Sequence, residues 1–321
     1  MADGSTAAEG RRGPKPRLRI GLVNNMPDAA LQATERQFRG LLTEAARGRF
    51  DIDLRLYALT GVPRGDAARA LLDARYESPA VLRRCGADAL IVTGSEPRAE
   101  DLRQEPYWDE LAGLVTWADK HTTSSLWSCL AAHAAVLHLD GIERQRLPAK
   151  LSGVYAFERA ADGGLLRGLS GSVVRPHSRY NGLLADDLAA SGYRLLTRAD
   201  DAGVDTFMRR DRSLFLFFQG HPEYDPDSLM REYRRDVGRF LRGERGEIPN
   251  IPANYFDAAT AQSLRVFETH ARQSREAGAA AWSDAFMAGF ADRAPWRASA
   301  AKMVRNWLSL VAEPQAAEVV P

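Results

Sequence analysis

Short apolar runs recur along this chain, each stopped by a glycine or a polar residue and followed by a longer stretch with helical spacing. The strand candidates are Leu18–Asn25 (LRIGLVNN), Phe50–Ala58 (FDIDLRLYA), Ala87–Thr93 (ADALIVT), Ser124–Ser128 (SSLWS) and Leu214–Gln219 (LFLFFQ). Helix candidates lie between the first four and after the fourth, at Ala29–Thr43, Ala67–Leu82, Tyr107–Thr122 and Leu130–Leu139. Strands apolar on both faces need helices above and below. The pattern therefore predicts an α/β fold with a mostly parallel sheet and helices on both faces. Sites in such folds form at the carboxyl ends of the strands. Gly94, Cys129 and His221 all stand just after strand candidates.

The remaining segments read more plainly. Further strands are expected at Gly153–Phe157 and Tyr193–Thr197, and a charged amphipathic helix over Pro226–Arg242. Residues 1–17 are small, polar and basic and read as a disordered tail. The catalytic α/β domain is expected over residues 18–256. Beyond it, residues 257–321 read as a helical segment. Its Trp296–Val311 stretch is apolar enough to pack back onto the same domain.

Charge and cysteine usage remove several functional classes. A net charge of +1 supplies no concentrated basic surface, so nucleic acid is not an expected partner. Two cysteines, Cys85 and Cys129, rule out a disulfide scaffold and suit a reducing cytosol. No Cys/His spacing suggests a metal, and no bound cofactor is expected. No apolar stretch approaches the roughly 20 residues needed to cross a bilayer, and the first residues lack a signal peptide's apolar run. A cytoplasmic protein is expected.

Cys129 falls between a strand and a helix candidate. There the helix dipole and free N–H groups stabilise an anionic thiolate. The N–H of Leu130 can point at a developing oxyanion, and the chain at Gly94-Ser95 can supply a second donor. A buried structural cysteine fits the same position, since free cysteine is among the most buried residue types. Cys85, in the polar run RRCG, is read as structural.

His221 and Glu223 occupy the turn Gln219-Gly220-His221-Pro222-Glu223. The imidazole suits proton transfer and the carboxylate suits fixing its tautomer. A polar turn closing a sheet is the plain alternative. Pro176-His177-Ser178-Arg179-Tyr180 offers groups for an amino-acid substrate, or is an exposed loop. Taken alone, Lys150 reads as a solvated lysine, and Arg235 as part of a solvent-facing arginine run.

At these residues the chain resembles the homoserine O-succinyltransferase / O-acetyltransferase family, which is related in fold to class I glutamine amidotransferases and is flavodoxin-like. The resemblance is carried, in order, by GLVNNMPDAALQATERQF, LIVTGSEP, YWDEL, KLSGVY, PHSRYN, GHPEYD, REYRRD and PANYF, with WRASA and NWL near the end. It implies that Cys129 is the acyl-thioester nucleophile, His221 the general base and Glu223 its partner. It implies substrate binding by Lys150, Ser178 and Arg235, acyl-CoA as co-substrate, a homodimer and a role in methionine biosynthesis. Arg98 falls where the family sorts succinyl from acetyl donors, and an arginine there pairs with a succinyl carboxylate. The chain departs from the family's pattern just after the nucleophile, where it reads Leu130-Ala131-Ala132-His133, and at Asp28-Ala29, where a lysine is usual.

Two other readings stay open. Serine or another hydroxy amino acid differs from homoserine by little more than a methylene. A glutamine amidotransferase-like hydrolase would place glycines where Trp127 and Ala131 stand.

Overall fold

The computed structural model describes residues 15–282 and 294–313, so most of the expected N-terminal tail lies outside the described residues. Five strands run parallel: β1 (Arg17–Val23), β2 (Asp51–Tyr57), β3 (Ala89–Val92), β4 (Ser124–Ser128) and β9 (Leu214–Phe218), in the spatial order β2-β1-β3-β4-β9. Every residue of β3, β4 and β9 is buried. Alternate side chains of β4 feed two cores, Leu126 into one and Trp127 into the other, as the two-residue period of a strand requires.

Helices cover both faces. α1 (Asp28–Ala46) and α10 (Arg297–Ala312) pack on the face that receives Leu126. α3 (Pro79–Cys85), α4 (Trp108–His121), α5 (Leu130–Asp140) and α6 (Ala185–Ala190) contribute to the core of the other, and α2 (Asp66–Arg75) lies between β2 and α3 in the chain. All residues of α5 from Leu130 to Leu137 are buried, as suits a helix apolar on every side. The predicted α/β architecture is present. The structure adds an antiparallel half running β9-β8-β7-β5-β6, with β5 (Gln145–Arg159), β6 (Val173–Gly182), β7 (Arg194–Ala199) and β8 (Gly203–Arg210).

That half was hard to read. β5 begins in the polar stretch QRLPAKLS, and only its later part is apolar, so the sequence marked a third of its length. The PHSRY cluster lies within β6 rather than in an exposed loop. β8 went unread because GVDTFMRR lacks both a continuous apolar run and a clean alternation.

After the sheet come α7 (Ser228–Leu241), α8 (Ala258–Gln273) and α9 (Arg275–Ala281). α7 packs on α8 through Tyr233, Val237, Phe240, Leu264 and Phe267. α10 returns to the sheet, where the indole of the fully buried Trp307 donates to Ser124 Oγ at 2.8 Å. None of the described helices is long and apolar enough to cross a membrane.

Candidate active site

Cys129 sits in the single-residue turn between β4 and α5. Its φ of 54° and ψ of −117° are strained for a residue with a side chain. Its N–H donates to the carbonyl of Phe218 at 2.7 Å, tying this turn to the end of β9. The turn leaves the cysteine partly exposed among buried neighbours. No side chain caps the first N–H groups of α5.

The end of β3 closes on this turn. A Cβ added at Gly94 would lie 2.9 Å from the Leu130 nitrogen and 2.6 Å from the Leu130 Cβ. Only glycine lets the two backbones approach so closely. Ser95 follows, near the buried Tyr107.

Just past β9, His221 turns toward the thiol. Its N–H donates to Pro176 O at 2.9 Å, and its Nδ1 stands 2.9 Å from Glu223 Oε1. Nδ1–H donating to the carboxylate leaves Nε2 free for Cys129, whose charge lies within reach of the ring. Burial opposes the imidazolium, but Glu223 and Cys129 outweigh it and raise the His221 pKa well above the usual value. Tyr224 stacks on the same ring, with centroids 4.1 Å apart. The structure thus brings Cys129, His221 and Glu223 together.

A buried polar network supports this turn. A Cβ at Gly220 would meet Arg175 Cγ at 2.6 Å, His177 Nε2 at 2.7 Å and Asp205 Oδ1 at 2.8 Å, so glycine is needed there too. Asp205 accepts the Gly220 N–H at 3.1 Å and faces Arg175 Nε at 3.3 Å, with both side chains fully buried. Burial works against the Asp205 carboxylate, yet Arg175 and His177 hold its pKa well below the usual range. His177 is pushed down to about 4, chiefly by burial.

Lys150, Ser178 and Arg235 gather at one face of α7. Lys150 is nearly buried rather than solvated, with Nζ 2.9 Å from Asp236 Oδ2 and 3.8 Å from Glu232 Oε2. Ser178 donates its hydroxyl to Glu232 Oε2, and Tyr224 donates to the other oxygen of Glu232. Arg235 is half-exposed and pairs with Asp236 at 3.0 Å. Through Tyr224 this cluster adjoins His221. Glu232 and Asp236 escaped the sequence reading, although they stand four residues apart in the arginine run of α7.

The Arg98 side chain is exposed, and its backbone N–H donates to Glu105 Oε1. Cys85 ends α3 and is exposed.

The fold is that of class I glutamine amidotransferase-like α/β proteins. A glutamine amidotransferase from Methylobacillus flagellatus superposes with a TM-score of 0.51 at 14% identity, over 92% of this chain and 96% of that one, a likeness of fold alone. The family model for homoserine O-succinyltransferase matches residues 5–317, and the chain belongs to that family of acyltransferases. A homoserine O-succinyltransferase of Rhodopseudomonas palustris is 53% identical over 92% of this chain and 89% of its own length. One from Methylorubrum extorquens is 49% identical over 94% and 90%, and one from Bradyrhizobium japonicum 45% over 92% and 90%.

Proposed function

We propose that this chain transfers a succinyl group from succinyl-CoA to the hydroxyl of L-homoserine, through a thioester on Cys129, as a step in methionine biosynthesis. The observation that carries this reading is the Cys129–His221–Glu223 arrangement at a strained strand-to-helix turn, in a chain of this family.

The first step uses the ion pair that Glu223 favours. The Cys129 thiolate attacks the thioester carbonyl of succinyl-CoA, and the C–S bond to CoA breaks. His221 gives its proton to the departing CoA thiolate. The oxyanion that forms on the way is met by the Leu130 N–H and by the backbone at Ser95. Acylation removes the negative charge at Cys129 that supports the imidazolium, so His221 is left as a base. In the second step His221 takes the proton of the homoserine hydroxyl, whose oxygen attacks the acyl-enzyme and expels the Cys129 thiolate. The product is O-succinyl-L-homoserine. No bound cofactor takes part. Lys150, Ser178, Arg235 and the carboxylate of Glu232 supply the charges that an amino acid's carboxylate and ammonium require. A covalent intermediate of this kind gives ping-pong kinetics.

Intact-protein mass spectrometry tests each step. Exposure to succinyl-CoA should add one succinyl group to the native chain and none to Cys129→Ala, and homoserine should discharge it. Labelling by acetyl-CoA alone would overturn the donor, and discharge by serine alone the acceptor. Glutamine hydrolysis without any labelling would overturn the transfer itself.

A further inference from the structure

Arg144 lies between α5 and β5, and its guanidinium reaches back to the loop after β3. Nη2 donates to the carbonyls of Glu100 at 2.9 Å and Ala99 at 3.3 Å. That loop belongs to the nucleophile's surroundings: it starts at Gly94, against the Leu130 nitrogen. It is held closed by the buried carboxylate of Glu105, which accepts the N–H groups of Arg98 and Ala99. The guanidinium is thereby held half-buried, close enough to Cys129 for the two charges to interact. Tyr107, Glu105, Arg146, His133 and Asp101 are the other titratable groups whose charges it feels.

Arg144 has no ion pair among the described residues, and the hydrogen bonds it makes there use Nη2 alone. A half-buried cation that no carboxylate contacts directly gains when an anion reaches it, although Glu105 lies within range of its charge. The other basic groups nearby are already engaged. Arg179 donates to His177 Nδ1 at 3.2 Å and to the carbonyls of Asn181 and Ala202 at 2.7 and 2.6 Å. Lys150 and Arg235 are paired with Asp236. Arg144 thus keeps a planar edge of donors free on the loop that runs from Gly94, within electrostatic range of the sulfur that carries the acyl group, the geometry a carboxylate accepts.

We propose that Arg144 binds the distal carboxylate of a dicarboxylic acyl group held on Cys129, and so sets the preference for a succinyl over an acetyl donor. The inference rests on acyl transfer through Cys129, and it assigns to Arg144 the role that the sequence pattern suggested for Arg98.

The test compares kcat/KM for succinyl-CoA and acetyl-CoA in the native chain, Arg144→Gln and Arg144→Lys, with folding checked by circular dichroism. Arg144→Gln should lower kcat/KM for succinyl-CoA roughly 10- to 100-fold, the range for a hydrogen bond to a charged group, and leave acetyl-CoA within about twofold. Arg144→Lys should keep part of the preference. An equal fall with both donors would show that Arg144 only holds the 99–100 loop. An unchanged ratio, or an effect confined to the KM for homoserine, would also overturn the proposal. A native chain that forms no acyl-enzyme with either donor would instead sink the transfer reading beneath it.

Discussion

Gly94 and Gly220 are fixed by what their missing side chains would strike, and the two fail differently when changed. Alanine at Gly94 would push its methyl into Leu130, at the backbone proposed to hold the oxyanion. Gly94→Ala should therefore remain folded and lose activity, by roughly 100- to 1000-fold in kcat, the range for a lost oxyanion donor. Single-turnover CoA release measures this directly. Alanine at Gly220 would strike the buried Arg175–Asp205–His177 network. Its expected cost is stability, about 1–3 kcal/mol by urea denaturation, as for overpacking elsewhere. A Gly220→Ala protein as stable as the native chain would mean that this network yields easily. At this scale Cys129, His221 and Glu223 were legible, because each follows an apolar strand candidate. Arg144 was not, since its place depends on the path of a loop some forty residues earlier in the chain.

Among the elements, α7 and α10 show how partners decide a helix's role. The arginines of α7 suggested a solvent face. Arg231 and Arg234 are indeed exposed, but Glu232 and Asp236 meet Lys150 and Ser178 from strands more than fifty residues away. Helical spacing gives the face of a residue; it does not give what lies opposite. α10, apolar along one face, packs on the sheet. Its anchor is Trp307, fully buried and bonded to Ser124 on the central strand that leads to Cys129. Trp307→Ala should cost about 3–5 kcal/mol, as large-to-small core changes do. Urea denaturation followed by far-UV circular dichroism would show it as a lower midpoint with a retained slope.

For the molecule as a whole, acid stability follows from histidines kept neutral. Burial pushes His133 down to about 3 and His177 to about 4. The unfolded chain protonates both near 6.5 and the folded chain does not, so unfolding takes up protons below that pH. Stability should fall between about pH 6.5 and 4, by up to about 1.4 kcal/mol per pH unit for each histidine. His221 offsets part of this only above about pH 6.5. Its folded pKa is raised, so its contribution is complete below about 6.5 and is lost only as pH climbs through the folded value. Asp205, held low, loses its contribution only in stronger acid. Unfolding free energies at pH 7 and 5.5 should show the decline, with a shallower one in His133→Gln. A stability flat across that range would contradict neutral burial of these rings.

The order of apolar strands and helices, and the polar residues that end those strands, settled the sheet's parallel half and the place of the Cys129 turn. These are local facts: a strand buried on both faces has to be apolar, and a turn has to end it. The antiparallel half, the carboxylates of α7 and the docking of the Arg144 guanidinium on the 99–100 loop were decided only by tertiary structure. Polar side chains become buried through partners far away in the chain, and no local pattern records who those partners are.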